Sequence, residues 1–79
     1  MTIYQVYEGK MNKLDQQIEW HEASYLDKQK ALDHITRILE KYSGETIDEY
    51  VFSDGTKTWS VVGMDRVDVC TLYVRETID

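Results

Sequence analysis

Residues 27–42 read DKQKALDHITRILEKY, from Asp27 to Tyr42, and this stretch decides the architecture. Ala31, Ile35, Ile38 and Tyr42 follow one another at steps of four, three and four. Leu32 and Leu39 widen the same stripe. Side chains three and four residues apart share one face of a helix, so these six form an apolar side. Lys30, Asp33, Arg37 and Lys41 occupy the other side. Asp27 is placed to cap the first turn, because its carboxylate can accept from free backbone amides. Ser24 is the competing cap, three residues earlier. Leu26 and Ala31 stand where a hydrophobic staple would form. Gly44 supplies a left-handed residue to close the helix, and Lys41 suits its negative end.

Everything on either side reads as strand. Ile3 to Tyr7 is rich in residues that favour extended structure. Gly9 to Asp15 reads as a loop. In Gln16 to Ala23, Ile18 and Trp20 alternate with Gln17, Glu19 and His21, a period of two that predicts a second strand hairpinned to the first. Thr46 to Ser53 is a third strand around Tyr50, Val51 and Phe52. Asp54-Gly55 predicts a tight hairpin turn, and Thr56 to Val62 follows as the fourth strand. Gly63 to Arg66 reads as a turn. Val67 to Glu76 is the fifth strand, with Cys70, Leu72 and Val74 on one face and Val69, Thr71, Tyr73 and Arg75 on the other. Thr77 to Asp79 should fray. The order β-β-α-β-β-β predicts an α+β domain: an antiparallel sheet of four or five strands, the last three a meander, with one helix on one face.

Seventy-nine residues make one domain. The apolar fraction of 42% supports a core, and nine aromatic residues (six Tyr, two Trp, one Phe) carry much of its area. A single cysteine, Cys70, permits no intrachain disulfide, which points to a reducing, cytoplasmic setting. No apolar run approaches the roughly 18–20 residues of a membrane span, and Met1 to Gln5 does not read as a signal peptide. A net charge of −6 opposes binding to nucleic acid or anionic lipid, both of which call for a basic face. The same charge suits a basic protein partner, or serves only to keep the chain in solution.

Catalytic signals are weak. His21 and His34 lack a second ligand at a spacing zinc would use. Cys70 lies on the inward-reading face of its strand, where a thiol behaves as a small hydrophobe. There is no phosphate-cradling glycine loop, serine elbow or carboxylate pair, so no cofactor is expected. The stronger hint is geometric. A helix of about 16 residues is near 24 Å long and cannot roof both faces of a five-stranded sheet. Tyr50 and Phe52 oppose Val51, and Leu72 and Val74 oppose Val69 and Tyr73. Either the sheet curls and buries these side chains, or some of them face a partner. The interface residues expected on the second reading are Tyr50, Phe52, Trp59 and Tyr73, with Glu45, Asp48 and Glu49 as an acidic rim. Asp54, Asp65 and Asp68 extend the acids toward the turns, where aspartate is common.

The strand closing on Tyr7-Glu8-Gly9, the helix with Lys28, Lys30, Ala31 and Ile35, and the aromatic hairpin at Asp54-Gly55 resemble short proteins encoded by bacteriophages and other mobile elements, certain anti-CRISPR proteins among them. The resemblance implies binding rather than catalysis, by occluding a host protein, and assigns no residue a role. The expectation is a non-enzymatic domain that binds a protein or itself as a homodimer. The alternatives are a small-molecule or enzymatic pocket between helix and sheet, using His34 or Cys70, and an antitoxin or immunity protein.

Overall fold

A computed structural model describes residues 1–11, 14, 16–63 and 66–77. Five strands and one helix occur in the expected order: β1 (Thr2–Met11), β2 (Gln17–Tyr25), α1 (Lys28–Leu39), β3 (Ile47–Val51), β4 (Lys57–Val61) and β5 (Val67–Glu76). All pairings are antiparallel, and the sheet order is β2-β1-β5-β4-β3. The β1–β2 hairpin and the β3-β4-β5 meander meet where β1 pairs with β5, so β5 is central and β2 and β3 are the edges.

The helix begins as its sequence dictates. Asp27 Oδ1 accepts from the Gln29 amide at 2.8 Å. Ala31, Ile35 and Ile38 are buried, with Leu32, Leu39 and Tyr42 packed against them at the margin. Leu26 is 68% exposed, so the staple expected with Ala31 does not form. The last turn tightens to a 3-10 turn over Glu40–Tyr42, and Gly44 reverses the chain at φ 92°. Lys41 does not serve the helix end alone. Its Nζ lies 3.0 Å from Glu8 Oε1 on β1 and ties helix to sheet.

The helix lies over β5, β1 and β2. Val6, Leu72, Cys70 and Val69 meet its buried stripe, and Trp59 completes the core. Val69 departs from simple alternation. Trp59 pairs with Cys70 and Ser60 with Asp68, so Val69 is an extra residue in β5. Such a bulge turns two successive side chains to the same side. It brings Val67, Val69, Cys70, Leu72 and Val74 to the helix side and leaves Asp68, Thr71, Tyr73 and Arg75 on the other. The expectation that Val69 shares a face with Thr71 and Tyr73 is thereby corrected. A second irregularity, at Val6/Tyr7, leaves Glu22 as the extra residue of β2.

β1 extends past Tyr7 to Met11, because Gly9, Lys10 and Met11 pair with Glu19, Ile18 and Gln17. The expected loop therefore begins later. Asn12, Lys13 and Asp15 lie outside the described residues, as do Met64 and Asp65 of the expected turn and Ile78 and Asp79 of the expected frayed end. Gly9 is needed for close approach: a Cβ there would sit 2.7 Å from the Asp68 carbonyl oxygen. Across it the Gln17 side-chain amide clamps the Asp68 backbone, with Nε2 donating to Asp68 O at 3.0 Å and Oε1 accepting from Asp68 N at 3.1 Å. Main-chain groups displaced by the bulge are thus satisfied by a side chain two strands away.

The Asp54-Gly55 hairpin closes on three residues rather than two. Phe52 N donates to Thr56 O at 2.8 Å, and Gly55 N to Phe52 O at 3.0 Å. Gly55 takes the left-handed conformation at φ 93°. That combination is a three-residue loop with a glycine bulge. The Thr56 amide donates to Asp54 Oδ1 at 2.9 Å, and this bond holds the carboxyl below its ordinary range.

Candidate functional site

The face of the sheet away from α1 is the part of the molecule that one helix cannot cover. Strict alternation, reset at the bulges, brings to it Ile3, Gln5 and Tyr7 of β1, Glu19 and His21 of β2, and Asp68, Thr71, Tyr73 and Arg75 of β5. Thr58 and Ser60 of β4, Asp48 and Tyr50 of β3, and Phe52 beyond it complete the surface.

Its middle is closed by polar bonds. Ser60 Oγ donates to Asp68 Oδ1 at 2.6 Å, and the Thr58 and Thr71 hydroxyls share a bond of 3.1 Å. Its β1–β2 end is a packed aromatic group. Tyr7 meets Tyr73 edge-on at 5.0 Å and His21 at 5.3 Å, and the Arg75 guanidinium lies 4.7 Å over the Tyr73 ring. The Tyr73 hydroxyl donates to Glu19 Oε1 at 2.7 Å, and Arg75 Nε to Gln5 Oε1 at 2.7 Å. Burial and then the Glu19 carboxylate push the Tyr73 phenol up to about 12. Tyr73 is therefore half-buried and engaged within its own chain.

Among the described residues, only the β3 end of this face stays open and apolar. Tyr50 is 58% exposed and Phe52 47%, their rings 4.8 Å apart in a tilted edge contact. A depression of 470 Å³ lies against Tyr50, Phe52, Thr58, Ser60, Arg66 and Asp68. A second, of 530 Å³, runs from Phe52 past Thr71 to Arg75, so Phe52 borders both.

The other expected interface residues are dispersed. Trp59 does not belong to the open face. It pairs with Cys70 on the helix side and is 6% exposed, its Nε1 donating to Glu49 Oε2 at 3.2 Å. The alternation that turns Thr58 and Ser60 to the open face is what encloses Trp59 on the other. Glu49 shares that side, with Lys57 Nζ at 3.5 Å. Asp48 stands on the open face beside Tyr50, 3.2 Å from Arg66. Glu45 lies at the turn after the helix, its amide donating to Tyr42 O. The acidic rim is split between the two faces, and Asp65 lies outside the described residues.

On the helix side a cavity of 410 Å³ is bordered by Tyr42, Val61, Val67, Val69, Lys10 and Lys41. Both lysines are engaged: Lys41 with Glu8, and Lys10 5.8 Å over the Trp20 ring. The Cys70 thiol is 1% exposed and burial pushes it up to about 12, so it stays protonated at neutral pH. His34 Nδ1 and the Tyr25 hydroxyl share a bond of 2.9 Å, with the histidine at the border of the core. Among the described residues no three His, Cys, Asp or Glu side chains group as metal ligands, and no helix is long and apolar enough to cross a membrane.

The residues that shape the open face without having been anticipated are Gln17 and, on β4, Thr58 and Ser60. One signal was present, since Thr56, Thr58 and Ser60 alternate with Lys57, Trp59 and Val61 and mark a polar face. No protein-family model, curated protein or solved structure matches this chain.

Proposed function

We propose that this domain binds another protein through the β3 end of its open sheet face, with Tyr50 and Phe52 as anchors. The observation that carries the reading is their pairing: two large rings, each about half exposed, in contact on a surface that elsewhere satisfies its own polar groups. Paired exposed aromatics bordered by shallow depressions have the composition and shape of interface centres. The net charge of −6 favours a partner with a basic surface.

The test is the double variant Tyr50→Ala/Phe52→Ala. Both side chains are exposed, so the melting temperature should hold, since surface substitutions generally stay within about 0.5 kcal/mol. Quantitative affinity capture from the native host should recover a partner with the natural chain and lose it with the variant. Light scattering distinguishes a second copy as that partner, as a dimer that the variant dissociates. An identical capture profile and an identical mass for both proteins would sink the reading.

A further inference from the structure

The two edges of the sheet differ. β2 is broken by its extra residue at Glu22, and bulges of this kind guard an edge against pairing. β3 pairs with β4 over five residues without interruption. Its sequence, IDEYV, has neither a lysine nor a proline. Its outer main chain can be assigned from hydrogen bonds. Phe52 N donates to Thr56 O at 2.8 Å, and Val62 N to Thr46 O at 2.9 Å. Hydrogen-bonded and non-bonded pairs alternate along an antiparallel ladder. Asp48 and Tyr50 therefore turn their amides and carbonyls toward β4, while Ile47, Glu49 and Val51 turn theirs outward.

This edge is flanked by apolar surface, with Tyr50 and Phe52 on one face and Val51, 55% exposed, on the other. It is also flanked by a carboxylate on each face, Asp48 and Glu49, each about half exposed beside the Arg66 and Lys57 of its own chain, surface ion pairs weak enough to admit a further cation. Those charges select the occupant. A second copy paired antiparallel about the strand centre would set Glu49 against Glu49, and like charges directly opposite destabilise a pair. Two chains of net charge −6 add long-range repulsion. We infer that the β3 edge receives, as a sixth strand, an extended segment of another protein in which two adjacent lysines or arginines, one for each face, are flanked by apolar residues. The outward groups of Ile47, Glu49 and Val51 form its main-chain bonds. The basic side chains meet Asp48 and Glu49, and an apolar residue lies along Tyr50 and Phe52. This inference rests on the protein-binding reading above and adds the edge and the chemistry of the segment.

The probe is a fluorescein-labelled ten-residue peptide with a central pair of lysines flanked by valine and threonine. Two controls have glutamate for every lysine, or proline at alternate positions. Anisotropy with the full chain should show binding of the basic peptide, weakened about tenfold or more in either control, each tenfold being roughly 1.4 kcal/mol. Added salt should weaken it further. Amide exchange at Ile47, Glu49 and Val51 should slow by about tenfold or more, as outward amides gain a hydrogen bond. Val51→Pro removes one outward donor and leaves the β4 ladder intact. Glu49→Gln removes the charge and keeps an acceptor for Trp59. Each should weaken binding severalfold in a chain with an unchanged circular dichroism spectrum. Absence of binding, equal binding of the glutamate peptide, or unchanged exchange at those three amides would overturn the inference. A native partner kept by Val51→Pro but lost by Tyr50→Ala/Phe52→Ala would remove the edge strand and leave the open-face reading standing.

Discussion

Replacing Gly9 by alanine tests the central joint of the fold. The position is mid-strand and buried. Ordinary reasoning would expect alanine to gain about 0.5–1 kcal/mol there, because glycine loses the most backbone entropy on folding. The structure reverses that sign. The new Cβ would sit 2.7 Å from Asp68 O and 3.0 Å from Gln17 Nε2. The first contact is with backbone of the central strand, which cannot swing aside as a side chain would. Restoring an ordinary separation of 3.4 Å moves β1 from β5 by about 0.7 Å. Overpacking of this kind costs about 1–3 kcal/mol. The same shift stretches the two Gln17–Asp68 bonds, each contributing about 0.5–1.5 kcal/mol. Set against the entropy gain, the net is a destabilisation of about 2 kcal/mol. A domain of this size loses about 4–8 °C per kcal/mol, so the melting temperature should fall by about 8–16 °C. Thermal and urea melts followed by circular dichroism measure it. A cycle with Gln17→Ala should show the two substitutions to be non-additive, since both act on one clamp. An unchanged or raised melting temperature in Gly9→Ala would refute the close approach of β1 to the β5 bulge.

Three further outcomes follow from the same structure. Asp27→Ala removes the acceptor for the Gln29 amide and should cost about 1 kcal/mol, whereas Leu26→Ala, at a site without a staple, should stay within about 0.5 kcal/mol; paired urea melts decide. The Glu8 carboxyl is held below its ordinary value of 4.5, first by its hydrogen bond with Glu22 and then by Lys41. A lowered folded pKa gives stability that is present above 4.5 and lost as pH falls through the folded value. The urea midpoint should therefore drop on acidification below that value, and Glu8→Gln should flatten the dependence. Cys70, buried and with its thiol pushed up to about 12, should resist a thiol reagent such as dithionitrobenzoate at neutral pH in the native chain and react at once in urea; rapid native labelling would contradict its burial.

The element order, the Asp27 cap, the apolar stripe of α1 and the hairpin at Gly55 were all legible because each depends on neighbours a few residues away. Periodicity, a capping side chain and a turn residue are local signals. The candidate site was half legible. Tyr50 and Phe52 alternate across Val51, which puts both rings on one face of their strand, and they remain exposed. Trp59 and Tyr73 look alike in composition, yet one fills the core and the other is held by Glu19 and Arg75.

The chain's own order of residues determined that there would be one helix, five strands and a helix too narrow for the sheet, since helical length and strand period are properties of short segments. Tertiary structure alone decided which side chains share a face. The extra residues Val69 and Glu22 shift alternation by one position, and whether a strand absorbs such an insertion depends on the partner pairing across from it. That pairing joins residues as distant as Gln17 and Asp68, whose contact no local pattern records, and it settles that β3, with its rings and outward amides, is left at the rim.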